Sequence, residues 1–304
     1  PCAGQSYEWM YYGGHEGAFL DYSAPTLRAF RQWLRQRYAG NEGRLQTAWG
    51  QDTITFDNAE IPTPTARQNT SLGCLRDPRA EMPVIDYTTF FAELTEGTID
   101  YFCHAIKRIT GGTRIAGAFY GYVMEQAFAT GAAQHTGHFA LGRALESDAI
   151  DFLMAPTSYW ARGPGEAGGH MAALASLRLH GKLWLNQADL RTHLSPDPGR
   201  FGRCATVEQS LGVMQREFAM DLTAGMPVYW YCFSSPWFGP SEHLMGGIKR
   251  MAEIATEADA LQRDTDGDCL AVVVSDGIAA ATGLSYHPLR SLVYLQREIL
   301  HRSG

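Results

Sequence analysis

The sequence predicts an α/β fold with a parallel sheet, and three observations carry that expectation. Apolar, aromatic-rich runs of strand length recur at 113–123 (TRIAGAFYGYV), 149–156 (AIDFLMAP), 182–188 (KLWLNQA) and 226–234 (MPVYWYCFS). Helix-period segments separate them, and strands joined through helices pair in parallel. No GxGxxG turn follows a strand, so a dinucleotide-binding sheet is not expected. With one more strand near residue 5, the five consecutive units fit part of a (β/α)8 barrel. On that reading the polar residues at the C-terminal strand ends face the active site.

The elements follow in chain order. The segment YEWMYY reads as a strand end, and TLRAFRQWLRQRYAG as an amphipathic helix stopping at Gly40. Residues 50–85, rich in Thr, Pro and Arg, read as a long surface excursion of the kind that builds an active-site face. Phe91, Leu94, Ile99, Phe102, Ile106 and Ile109 form an apolar helix stripe that precedes Gly111 and Gly112. Val207, Leu211, Met214, Phe218 and Leu222 form another, closed by Gly225. Residues 1–263 are thus expected to form the partial barrel domain. GDCLAVVVSDG (267–277) and LRSLVYLQREIL open a second α/β domain at 264–304.

Bulk properties exclude several classes. Hydrophobic residues make up 45% and charged residues 19% of 304, an ordinary globular composition, and the formal charge is −7 without a basic run. Nucleic acid is therefore not an expected partner. No apolar run of roughly 18 residues occurs, so no membrane span is expected either. No charged-then-apolar leader opens the chain, which points to the cytoplasm rather than secretion, with the natural N-terminus expected upstream of Pro1. Cys2, Cys74, Cys103, Cys204, Cys232 and Cys269 form no CxxC pair, and no metal or other cofactor is expected. DTDGD (264–268) lacks the Gly and Glu that a calcium loop needs at its sixth and twelfth places. The Gly-rich ARGPGEAGGH lacks GK[ST] and reads as a strand-to-helix connection that leaves Arg162 available to a ligand.

Candidate site residues come from the strand ends. Glu8 lies among Tyr7, Trp9, Tyr11 and Tyr12; a carboxyl in such surroundings is desolvated, its pKa rises, and it suits a general acid. Trp9 and Tyr122 offer aromatic faces to a sugar. Glu16, in a Gly-rich loop, is the competitor, and Glu125 reads as an ordinary loop glutamate at an active-site edge. Gln187 and Asp189 share one strand face because side chains alternate, while Asn186 and Ala188 point the other way. Asp189 and Arg191 either pair with each other or contact substrate, and His193 lies further out as a hydrogen-bonding surface residue. His135 and His138 have i,i+3 spacing without a completing carboxylate pair, so His138 is expected at a helix start near ligand. Trp237 is either a stacking platform for a sugar ring or a lid on the barrel.

With those residues in view, the chain resembles glycoside hydrolases of the β-galactosidase family 42 type. The likeness rests on EW followed by DYSAPTLRAFRQWLRQRYAG…LQTAWG, then GAFYGYV, HFALGRALESDAIDFLMAPTSYWAR, HGKLWLNQADLRTHL and VEQSLGVMQREFAMDLTAGMPVYWYCFS, in that order from residue 5 to about 260. The resemblance implies that barrel strands four to eight are present, that β-linked and specifically β-galactosidic bonds are the substrate, and that the protein is a homo-oligomer, a trimer. It further implies a retaining mechanism with two carboxylates about 5–5.5 Å apart. Glu8 matches the acid/base position, although Tyr7 replaces the usual preceding Asn. At strand seven relatives read E-x-D-x-R-T-H, and here Gln187 stands in the nucleophile's place. Three explanations stay open: a deliberate Glu→Gln change, a natural sugar-binding relative without turnover, or a nucleophile displaced to Asp189, some 6–7 Å further along the strand.

Overall fold

The computed structural model describes residues 19, 21–126, 136–196, 201–233, 235–261, 277–282 and 299. The strand expected near residue 5, and Glu8, Trp9, Glu16 and His135 with it, lie outside the described residues. So does most of 264–304. The chain divides into two compact units, Pro1–Ile150 with Val274–Arg297, and Asp151–Val273 with Glu298–Gly304.

In the first unit, α1 (Ala24–Arg37), α2 (Glu42–Trp49), α3 (Pro64–Gln68) and α4 (Pro78–Thr110) precede β1 (Gly117–Phe119), α5 (Val123–Gln126) and α6 (Leu141–Glu146). Ser23 caps α1 by accepting from the Thr26 amide, and Asp77 caps α4 with Pro78 at its first position. Inside α4, Glu81 leaves the helical region two residues before Pro83, whose ring cannot take an ordinary place in a helix interior. Gly111 ends α4 at φ 60°, a left-handed conformation that glycine adopts without steric cost. The core packs Phe30 and Leu34 of α1, Leu45 and Trp49 of α2, and Tyr87 and Phe90 of α4 around Ile54, Phe56, Ala59 and Ile61.

Two expectations are corrected here. Residues 50–85 are not a surface excursion: Ile54, Phe56, Ala59 and Ile61 are core, and α4 already begins at Pro78. The 91–109 stripe is only half buried. Phe91 and Ile99 are enclosed, as is Cys103, whereas Phe102 and Ile106 are exposed and Ile109 is 80% exposed. Periodicity places residues on one helix face but does not supply a neighbour to cover it.

In the second unit, β2 (Phe152–Pro156), α7 (Leu174–Leu179), β3 (Leu183–Ala188), α8 (Val207–Ala224), β4 (Val228–Trp230) and α9 (Glu242–Asp259) alternate as expected, and α10 (Ile278–Ala281) belongs to the first unit. β2 pairs β3 in parallel, with Pro156 opposite Gln187, and β3 pairs β4 in parallel, with Gln187 opposite Tyr229. Mixed α/β structure with parallel strands is thus observed. Each strand is shorter than its apolar run. α8 runs from the Thr206 cap to Gly225 at φ 70°, the limits its pattern predicts. Its innermost face differs from the predicted stripe. Ser210, Met214, Glu217 and Asp221 are buried, while Val207, Leu211 and Phe218 are only partly covered. The reason is polar: β3 and the loops beyond the strands present groups that need partners, and this face of α8 supplies them.

Candidate active site at the end of the third strand

β3 alternates as a strand must, and its last residues divide between two environments. Asn186 turns toward α8: its amide donates to Asp221 Oδ2 at 2.8 Å and its carbonyl oxygen accepts from Thr157 Oγ1 at 3.1 Å. His170 Nε2 lies 2.7 Å from Asp221 Oδ1 and completes a buried chain. Gln187 faces the other way. Its carbonyl accepts from the Thr157 amide at 3.1 Å and the Asp189 amide at 2.9 Å, so the backbone at this point is tied on both sides. The side chain is 8% exposed, and its amide has no hydrogen-bond partner among the described residues.

Asp189 is the opposite case. Its carboxylate is fully buried and accepts from Tyr159 Oη at 2.9 Å, Arg191 Nη1 at 2.5 Å and Arg162 Nη2. Burial alone would lower the Arg162 pKa, but the charge and hydrogen bond of Asp189 outweigh it and the pKa is raised. Tyr159 is held protonated by burial and then by the charge of Asp189. Both oxygens are committed to guanidinium groups, so of the two alternatives for Asp189 and Arg191 the structure shows the pair.

Arg191 is enclosed by rings. Its guanidinium carbon lies 4.8 Å from the Trp237 centroid, 4.9 Å from Phe201 and 5.1 Å from Phe233. Trp237 is buried in the core with Val213, Met214 and Phe238, and its indole N–H donates to Ser235 Oγ at 3.0 Å. Arg162, expected to be open to ligand, is likewise buried on Asp189 and the Tyr159 ring. His193 accepts support rather than giving it, its amide donating to Ser210 Oγ at 2.9 Å. Beneath these groups Glu217 is enclosed; burial raises its pKa, opposed by Arg216, which donates to Glu217 Oε1 at 2.8 Å.

Gln187, Asp189, Arg162, Arg191 and Trp237 are therefore brought together within the second unit. Tyr122 and His138 meet each other in the first, stacked at 4.2 Å with 11° between planes. His138 is buried, and its Nδ1 accepts from the Gly121 amide at 3.2 Å, which leaves the ring proton to Nε2 in the neutral form. Glu125 sits on α5 and is buried. Tyr159, Phe201 and Phe233 escaped the reading of the sequence, because they reach Arg191 from separate loops. Among the described residues no group of three or more His, Cys, Asp or Glu side chains could hold a metal, and no helix is long and apolar enough to cross a membrane.

Residues 11–154 match the family model described as beta-galactosidase, glycoside hydrolase family 42. The match is a likeness to that family over somewhat less than half of the chain. The matched segment ends before β3, so Gln187 and its neighbours lie beyond it. No curated protein and no solved structure matches the chain.

Proposed function

We propose that the protein is a β-galactoside-directed glycoside hydrolase built on a (β/α)8 barrel, with Gln187 in the nucleophile's position and Glu8 as acid/base. Residues 264–304 open a second domain in this reading. The observation that carries it is the Gln187 amide: a polar group at the C-terminal end of a parallel strand, its backbone carbonyl tied on both sides, with no partner among the described residues. Such an amide is open to hydrogen bonds from a ligand. In the retaining mechanism the acid protonates the leaving oxygen while a carboxylate attacks the anomeric carbon, and water then releases the sugar. An amide keeps the shape and the hydrogen bonds of that carboxylate but is a far poorer nucleophile.

The test is Gln187→Glu in the protein as expressed from its gene, assayed on aryl β-galactosides. The variant is expected to hydrolyse them roughly a thousandfold or more faster than the Gln187 protein. A folded Gln187→Glu protein that cleaves no aryl β-glycoside sinks the hydrolase reading. A second reading, a carbohydrate-binding protein without turnover, is favoured by the amide itself. It is the one that survives if Gln187 protein binds oligosaccharide while Gln187→Glu stays inactive.

A further inference from the structure

Tyr229 on β4 is the register partner of Gln187 on β3. Partners in a parallel pair project to the same face, and Asn186 turns to α8, so Gln187 and Tyr229 share the face away from that helix. A row of rings begins there. Tyr229 meets Tyr231 edge to face at 6.4 Å, and Tyr231 meets Phe233 in the same manner at 5.1 Å. Tyr229 and Tyr231 are half-buried, and Phe233 is 54% exposed. The row therefore starts beside the unpartnered amide and ends in solvent.

Its outer end is braced from behind. Phe233 leans on Trp237 at 5.7 Å and on the Arg191 guanidinium, which is itself fixed by Asp189. On the same guanidinium lies Phe201, 46% exposed. Phe201 holds φ 53°, and Gly202 after it holds φ 66° where an added Cβ would stand 2.6 Å from the Gly163 amide nitrogen. A bulky residue in the left-handed region is uncommon, and such conformations gather at ligand clamps. Two phenyl rings on one buried cation expose apolar surface that no other described residue covers.

We infer that Tyr229, Tyr231 and Phe233, with Phe201 beside them, form a stacking track for the apolar C–H faces of successive pyranose rings beyond the sugar bound at Gln187. The inference rests on the proposed glycoside reading and adds chain-length selectivity to it. Ring centroids 6.4 and 5.1 Å apart are on the scale of one sugar per aromatic ring, and planes 81° and 83° apart offer a sugar chain ring edges and ring faces in turn. The phenyl rings carry no hydrogen-bonding group, so the outer end selects for ring faces rather than for a hydroxyl pattern.

Titration calorimetry of the Gln187 protein with β-1,4-linked galactobiose and galactotetraose tests this. The tetraose is expected to bind about fivefold or more tightly than the biose. Phe233→Ala and Phe233→Leu should each bring the ratio of tetraose to biose affinity down toward one, and Phe201→Ala should reduce that ratio. Melting curves confirm that these exposed substitutions leave the fold intact. Galactobiose binding with no gain for the tetraose, or a gain that survives both Phe233 variants, overturns the track while leaving the proposed function standing. A loss confined to 4-nitrophenyl β-galactoside overturns it in favour of an aromatic aglycone as the occupant. Binding of neither oligosaccharide removes both readings together.

Discussion

Asp86 and Asp189 are both fully buried carboxylates satisfied by the same kinds of group, yet they sit in very different regions. Asp86, on α4, accepts from Tyr38 Oη at 2.6 Å, Trp49 Nε1 at 2.8 Å and Arg37 Nε at 3.0 Å, and so ties α4 to the start of the chain's helical core. Asp189, just past β3, accepts from a tyrosine and two arginines. The Arg37 side chain is 42% exposed, whereas Arg162 and Arg191 are enclosed with their carboxylate. A saturated buried carboxylate is thus a structural tie in both regions. What separates the second region is its neighbour: two residues before Asp189, the Gln187 amide makes no hydrogen bond among the described residues. Function is to be sought in the group that the scaffold leaves open, and the scaffold is read from the groups it closes.

The largest effect should come from removing the enclosed tie. Asp189→Ala leaves two guanidinium groups buried without a counter-charge and is expected to cost about 3–5 kcal/mol in denaturant unfolding. Asp86→Ala lets Arg37 turn to water and loses hydrogen bonds from Trp49 and Tyr38, for about 1–3 kcal/mol. Equal losses in the two variants would break the comparison. A smaller effect is expected in pH dependence. The Glu217 pKa is raised in the folded protein from its ordinary 4.5, so the native state holds that proton more firmly than the unfolded chain. The associated stability is complete below about pH 4.5 and is lost as pH rises through the folded value. Melting midpoints of Glu217→Gln should fall less steeply with rising pH over that window than those of the parent; an unchanged slope would assign the dependence to another group. The smallest effect belongs to Gly111→Ala at the end of the helix that carries Asp86. No atom lies within 4 Å of the added Cβ, so only left-handed strain remains, about 1 kcal/mol by calorimetry.

Much of the backbone was legible from local pattern. The limits of α8 followed from its apolar period and Gly225, and the four strands fell inside the runs that predicted them. The alternation that separates Asn186 from Gln187 was legible for the same reason: it is a property of an extended chain. The buried face of α8 was not, because Ser210 and Asp221 look like solvent-facing residues until His193 and Asn186 come to meet them. Asp86 carried no signal at all, since its partners are 37 to 49 residues away. The ring row had a visible trace in Val228-Tyr229-Trp230-Tyr231-Cys232-Phe233, where aromatic residues recur at every second place. Only the register of β4 against β3 attached that row to Gln187.

Short-range chemistry therefore fixed which segments are helix and strand, and where glycines end them. Local sterics and side-chain periodicity act within a few residues, and they are written in the sequence directly. The tertiary structure decided which polar groups meet: that Asp189 is paired with Arg162 and Arg191, that Trp237 lies beneath a guanidinium, and that the Gln187 amide keeps no partner among the described residues. Those outcomes depend on groups far apart in the chain competing for the same buried hydrogen bonds, and that competition is settled only once the strands and helices have packed.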